Sequence, residues 1–377
     1  MTVRRPDRGA GPSRRPAVRG VTLAETLVCA VAALLLLAAA LPLLAAGRSR
    51  GLETVSLNNL RTLLGAHTAY AGDFNGAQYT TVPDVWGALG GGFSAYYPYV
   101  QQYGCPPFVQ LGYGCSQAGG ECGEYGYYLP CSSVNGLITN VETMLPFGFS
   151  NPYAWGTGGW RLHNAKAFNS YVSDRFYDPA FYAPADARAM RFVGPGLSSP
   201  NAFTLLSSDG AIELSSYCRS AAALYSPTVF GGGPDGTFLT PYGMADGYVT
   251  PSLPQVATPE LKTWFTEFRW LQSPPAQVAN STVQDPLFNG GADSVPLTLF
   301  YDGRVGPLPI RKVLADNDTA VAGGGAVASL WLSAVLGGAL GSPPADGYFE
   351  SLSVDGTRTS THVFTRNGVL GRDVLAP

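Results

Sequence analysis

The side chains able to bind a metal or act as nucleophiles are few, and their spacing points to neither chemistry. Only three histidines occur in 377 residues, His67, His163 and His362. No H-x-x-x-H pair, G-x-S-x-G elbow or Walker loop is present. Of six cysteines, Cys29 lies in an apolar run, and Cys105, Cys115, Cys122, Cys131 and Cys218 lie beyond it. Steps of 10, 7 and 9 residues separate the first four of these five, with no histidine close by. Zinc sites need close C-x2-C pairs. The remaining readings are disulfides in an oxidising compartment, which cysteine usage favours, or buried thiols. Five cysteines cannot all pair within one chain. The glycine run Gly231–Gly233 lacks the strand-and-helix frame of a phosphate loop. We name no catalytic residue, no metal ligand and no cofactor.

One acid stands apart. Glu25 sits two residues before an uncharged run of 20, Leu27 to Ala46. That is the length needed to cross a bilayer. A carboxylate at the entrance to such a helix costs energy, up to a few kcal/mol near the centre on insertion scales, so it calls for a partner. A cleaved secretory signal has a shorter apolar core, usually about 7–15 residues. A plain signal-anchor helix fits the length but gives Glu25 no role.

Arginines flank the run. Arg4, Arg5, Arg8, Arg14, Arg15 and Arg19 precede it against Asp7 alone, and Arg48 and Arg50 follow. The larger cluster lies first, which places residues 1–20 in the cytoplasm and the bulk of the chain outside. The whole chain carries a net charge of −3, so the body beyond the leader is acidic. Without a basic stripe it is a poor nucleic-acid binder.

The segment RGVTLAETLV, residues 19–28, resembles the prepilin cleavage and methylation motif of type IV pilins and type II secretion pseudopilins. The resemblance implies cleavage after Gly20 by a membrane peptidase and methylation of the new terminus, Val21. It implies that Glu25 pairs with the amine of a neighbouring subunit during assembly, and that Pro42 kinks the first helix. Val21 stands where the family usually has Phe or Met, Ala24 where it has Ile or Val, and Thr26 where it has Val or Leu. Residues 56–76 resemble the stretch after the anchor in many pseudopilin-like proteins, and residues 167–186 and 294–306 resemble parts of a group of large bacterial prepilin-like proteins. In that group the late Asp302-Gly303 turn is often followed by His, whereas Arg304 stands here. The partners implied are the prepilin peptidase, the assembly machinery, other pilin subunits and membrane lipid. The location implied is the bacterial inner membrane, single-pass, with the globular region periplasmic or carried into a surface filament.

Positioning these residues takes a long helix and a body. Leu52, Val55, Leu60, Leu63, Leu64, Ala66 and Tyr70 continue the helical spacing past the apolar run, and Gly72 with Asn75-Gly76 ends it. The chain divides into a leader (1–20), the membrane half of the helix (21–47), its exposed half (48–76), and a mainly β region (77–377) rich in Gly, Pro and Tyr. A helix over 21–72 would be roughly 75 Å long, with bends expected at Pro42, Gly47 and Gly51. Asp-Gly pairs at 209, 235, 246, 302, 346 and 355 mark turns, and TLFYDGRVG reads as a hairpin. The uncharged stretch 320–345 holds too many glycines and prolines for a second span and reads as a loop. Residues 80–160 read as a loop-rich insertion. The fold expected is α+β, pilin-like: a long N-terminal transmembrane helix packed on an antiparallel sheet with large loop insertions. The function expected is a structural, non-enzymatic subunit. The alternative is a single-helix envelope binding protein that uses the helix only as an anchor.

Overall fold

In the computed structural model the residues described are 22–80, 109–116, 122–127, 161–206, 212–231, 239, 244–267, 295–325, 328–331, 362 and 365–377. Gly20, Val21, Cys105, Cys131 and the Asp-Gly pairs at 209, 235, 346 and 355 lie outside them, as does most of 80–160. The chain divides into two compact units, Met1–Arg50 and Gly51–Pro377.

Helix α1, Leu23–Asp73, is a single 51-residue element, matching the helix expected over 21–72. It runs without interruption through Pro42, Gly47 and Gly51. Its first part leaves its leucines in the open: Leu34 is 65% exposed and Leu43 73%. Its later part changes character. Ser56, Asn59, Leu60, Leu63, Ala66, His67 and Ala71 are buried at steps of three and four residues. That spacing keeps one face turned inward. The helix stops where Asn75 (φ 54°) and Gly76 (φ 83°) enter the left-handed region, and the Gly76 N–H donates to the Ala71 carbonyl at 2.6 Å. This closes the C-terminus in Schellman style.

Among the described residues the strands form two sheets. The first has β1 (Val109–Ser116), β2 (Cys122–Tyr127) and β3 (Phe203–Leu205), in the order β2-β1-β3. Strands β1 and β2 pair antiparallel, but β1 and β3 run parallel, with Gly114 opposite Phe203. This one parallel pair was not among the expected features; the antiparallel sheet on which the long helix was expected to pack is the second one. Local hairpin signals cannot reveal a pairing across some 90 residues of chain. Gly114 makes that pairing sterically feasible: a Cβ there would stand 1.6 Å from the Phe203 carbonyl oxygen.

The second sheet is fully antiparallel, in the order β4-β5-β6-β7: Tyr217–Arg219, Thr263–Glu267, Leu297–Phe300 and Val305–Pro307. The later part of α1 packs on it, as the sequence implied. Leu60, Leu63 and Ala66 share one buried cluster with Trp264, Phe265 and Leu299. Polar pins fix the register of that contact. Ser56 Oγ donates to Glu267 Oε1 at 2.8 Å, and Asn59 Nδ2 donates to the Tyr182 carbonyl and the Tyr217 hydroxyl.

The β6–β7 hairpin turns at Asp302-Gly303 as expected. The Gly303 N–H donates to the Phe300 carbonyl, the Phe300 N–H donates to the Arg304 carbonyl, and Gly303 has φ 86°. This is a type I turn followed by a left-handed residue, which favours glycine. Arg304, in the place where the resembling group has His, lays its guanidinium 3.8 Å from the Phe300 ring centroid and donates to the Glu260 carbonyl. Asp246-Gly247 lies in a turn, where Asp246 Oδ2 accepts from the Ser226 and Thr228 hydroxyls.

Besides a single helical turn at Lys166–Asn169, two longer helices belong to the described body. Helix α2, Ala187–Leu197, is capped by Asp186, whose Oδ1 accepts from the Ala189 N–H. Helix α3, Ile310–Gly324, buries Ile310 and Val313 and takes in the first residues of the uncharged stretch read as a loop. A second buried cluster joins Leu261, Phe300, Val313, Leu330, Trp331 and Val374. Residues 365–377 close over it. The Asp373 N–H donates to the Leu261 carbonyl, the Leu375 N–H donates to Asp316 Oδ2, and Lys312 Nζ donates to the Ala376 carbonyl.

Candidate assembly site at the start of the long helix

Glu25 has a local role that its acidity alone does not suggest. Thr22 immediately precedes the first helical residue, Leu23, and Glu25 is the third residue of the helix. The Thr22 N–H donates to Glu25 Oε2 at 2.8 Å, and the Glu25 N–H donates to Thr22 Oγ1 at 3.3 Å. This is the reciprocal capping box of a T-x-x-E sequence, which satisfies two backbone donors at a helix start. The Thr22 hydroxyl also donates to Oε2 at 3.0 Å. Thr26 Oγ1 donates to the Leu23 carbonyl at 2.8 Å. A plain anchor helix therefore does have a use for Glu25, and the T-x-x-E spacing in the sequence was the overlooked signal. Within the described residues Oε1 has no partner, so one carboxylate oxygen stays open on an exposed side chain.

Beyond this cap the apolar run carries one reactive side chain. Cys29 is an exposed thiol. Pro42 lies inside α1 and has no N–H to give the Ala38 carbonyl. Among the described residues one helix, α1, is long and apolar enough to cross a membrane, with a mean hydropathy of 2.8 in its most apolar window.

The candidate disulfide cysteines separate in the structure. Cys115 and Cys122 are register partners across the β1–β2 ladder. Cys218 is instead a buried thiol on β4, so its assignment to a disulfide is corrected. It fills the interior of the main cluster among apolar neighbours, as cysteines often do.

The histidines serve the core. His67 lies 4.0 Å from Phe168, 5.0 Å from Phe265 and 5.3 Å from Trp264, centroid to centroid. His163 comes within 6.4 Å of it and packs against Phe181 and Phe265. The described residues contain no group of three or more His, Cys, Asp or Glu placed to hold a metal ion. Arg219 is buried beside them, donates to the Tyr79 carbonyl and lies over the Tyr79 ring. Burial pushes its guanidinium down to about 10.

Sequence reasoning missed a second polar centre. Lys262 Nζ reaches Asp373 Oδ2 at 2.7 Å, with both side chains fully buried. The same ammonium donates to the Thr263 carbonyl at 2.8 Å and to Ser220 Oγ at 3.1 Å. Asp373 Oδ2 also accepts from the Thr263 N–H at 3.0 Å and from the Thr263 hydroxyl, while Oδ1 accepts from the Thr365 hydroxyl. His362 Nδ1 lies 2.7 Å from Thr263 Oγ1, and Nε2 lies 2.8 Å from the Cys218 carbonyl. Burial, then the Lys262 charge, push the imidazole down to about 3. These groups are distant in sequence and follow no motif, so only the fold brings them together.

No protein-family model, curated protein or solved structure matches this chain.

Proposed function

We propose that this chain is a prepilin-like structural subunit: anchored by α1, cleaved after Gly20, methylated at Val21 and assembled into an envelope filament through its apolar helices. One observation carries the reading. A single helix holds an unburied apolar run of membrane length, an acid at its mouth, and a second part that forms one wall of a folded core. A run of exposed leucines is unfavourable in water and finds cover either in lipid or against copies of itself. In the assembled state Glu25 would meet the Val21 amine of a neighbour, because a buried acid needs a charged partner. Its open Oε1 is compatible with that contact. The implied setting is an inner membrane with the body on the oxidising side. There Cys115 and Cys122 would close the β1–β2 hairpin with a disulfide, since paired antiparallel residues lie within bridging range.

The second reading, an anchored binding protein without assembly, draws support from the capping box, which accounts for Glu25 without a neighbour. Glu25→Gln separates the two. Glutamine serves in a capping box as glutamate does, but carries no charge. If Glu25 pairs with an amine, Glu25→Gln inserts into the membrane normally and forms no filaments, as Glu25→Ala also does. If Glu25 only caps the helix, Glu25→Gln matches the native chain in every assay. Mass spectrometry of the mature N-terminus, in membranes holding a prepilin peptidase, tests the processing step. A chain beginning at N-methylated Val21 supports it, and one beginning at Met1 sinks it.

A further inference from the structure

We propose that Lys262 and Asp373 react with each other to form an intramolecular isopeptide bond, which ties the C-terminal segment covalently to β5. This inference stands apart from the filament reading and needs only the folded body.

The two reacting groups are held in contact and away from water. Nζ of Lys262 lies 2.7 Å from Oδ2 of Asp373, and neither side chain has any exposed surface. The ammonium is aimed by its bonds to the Thr263 carbonyl and Ser220 Oγ, and Ser220 is fixed in turn by donating to the His362 carbonyl. The carboxylate is held at both oxygens, by Thr263 on Oδ2 and Thr365 on Oδ1. Fixing two groups in this way makes their reaction effectively unimolecular, with effective concentrations on the order of 10⁵–10⁸ M in well-oriented cases.

The surroundings favour the uncharged product. An ion pair sealed from water recovers its lost hydration poorly, and replacing it with neutral groups is often neutral or stabilising. Leu261, flanking Lys262, and Val374, flanking Asp373, belong to the apolar cluster that closes this region. Burial holds the Lys262 amine below its usual range, against the pull of Asp373. For the amine to attack, one proton must pass from Nζ to Oδ2, giving amine and carboxylic acid.

The reaction then balances without any added reagent. The amine lone pair attacks Cγ, and the negative charge developing on Oδ1 is met by the Thr365 hydroxyl. A second proton passes from nitrogen to Oδ2, the Cγ–Oδ2 bond breaks, and Oδ2 leaves as water. Oδ1 becomes the amide carbonyl, and nitrogen keeps its last proton. Nothing is oxidised or reduced. The Thr263 N–H and hydroxyl support Oδ2 as it departs.

The full chain, purified from membranes in detergent, denatured and digested with trypsin, gives a direct readout. Unmodified protein yields three linear peptides, 220–262, 263–269 and 373–377. The linked protein yields one branched peptide, 220–269 bearing 373–377, because trypsin does not cut after an acylated lysine. The intact chain is then lighter by one water. We expect the branched peptide, and in Asp373→Ala the return of cleavage after Lys262 with no mass deficit. Linear peptides and an unchanged mass in the native chain would overturn the proposal. So would a missing water with normal cleavage at Lys262, or a deficit that persists in Asp373→Ala.

Discussion

His362 shows how much of this protein's behaviour depends on contacts that no local pattern encodes. Its ring is buried between the Cys218 carbonyl on β4 and the Thr263 hydroxyl on β5, with Lys262 and Asp373 as the charged groups nearby. Burial holds it neutral down to about 3, whereas a histidine in the unfolded chain titrates near 6.5. Between those values the unfolded chain binds a proton that the folded chain refuses. Stability from this group is therefore fully present above about pH 6.5 and declines as the pH falls toward 3, by a few kcal/mol across that window. Denaturant titrations of the native chain and of His362→Gln at stepped pH values measure it. We expect the native chain to lose stability faster on acidification than the variant does, since both share the remaining carboxylates. Equal slopes would show that His362 reaches solvent and titrates normally. Sequence reading found this histidine and left it without a role. Its hydrogen-bond partners Thr263 and Cys218 are separated from it by 99 and 144 residues.

Among the elements, α1 was the most legible and the pairing of β1 with β3 the least. An uncharged run of 20 residues, followed by apolar positions at steps of three and four, admits little but a long helix. Its observed bounds lie within a few residues of those expected. The Asp302-Gly303 hairpin was legible because its turn chemistry is local. The side chains that seat α1 were not, since Ser56 and Asn59 look like surface residues until Tyr217 and Glu267 come opposite them. The two parts of α1 should answer differently to the same substitution. Leu63 is fully buried on the sheet, whereas Leu35 is 67% exposed. Leu63→Ala should destabilise the body by about 2–5 kcal/mol, the cost of a cavity that cannot collapse. Leu35→Ala should leave the body's unfolding unchanged in detergent and act only on membrane retention or assembly. Thermal melts of both variants, followed in the near-UV, check this. An equal loss in both would mean that the apolar run helps hold the body together.

For the molecule as a whole, the division at Arg50/Gly51 has a consequence for which residues carry stability and which carry insolubility. Both sheets, both apolar clusters and the Lys262–Asp373 centre fall within Gly51–Pro377. The long stretch of exposed leucines falls within Met1–Arg50. On the described part of the body, large apolar side chains in the open are scattered, such as Phe74, Tyr113 and Leu370. Isolated residues of that kind are ordinary on soluble surfaces. A chain beginning at Gly51 keeps Ser56, Asn59, Leu60 and Leu63, the residues that seat the helix on the sheet. The truncated helix loses length but not its inward face, and tertiary packing rather than length holds such a helix. A Gly51–Pro377 fragment should therefore purify without detergent as a monomer. Its melting temperature should lie within a few degrees of that of the full chain in detergent, because none of the described residues before Gly51 is buried. Gel filtration with light scattering and a melting curve decide the matter. A fragment that aggregates, or that melts without a cooperative transition, would show that residues before Gly51 are part of the folding unit and not an appended anchor.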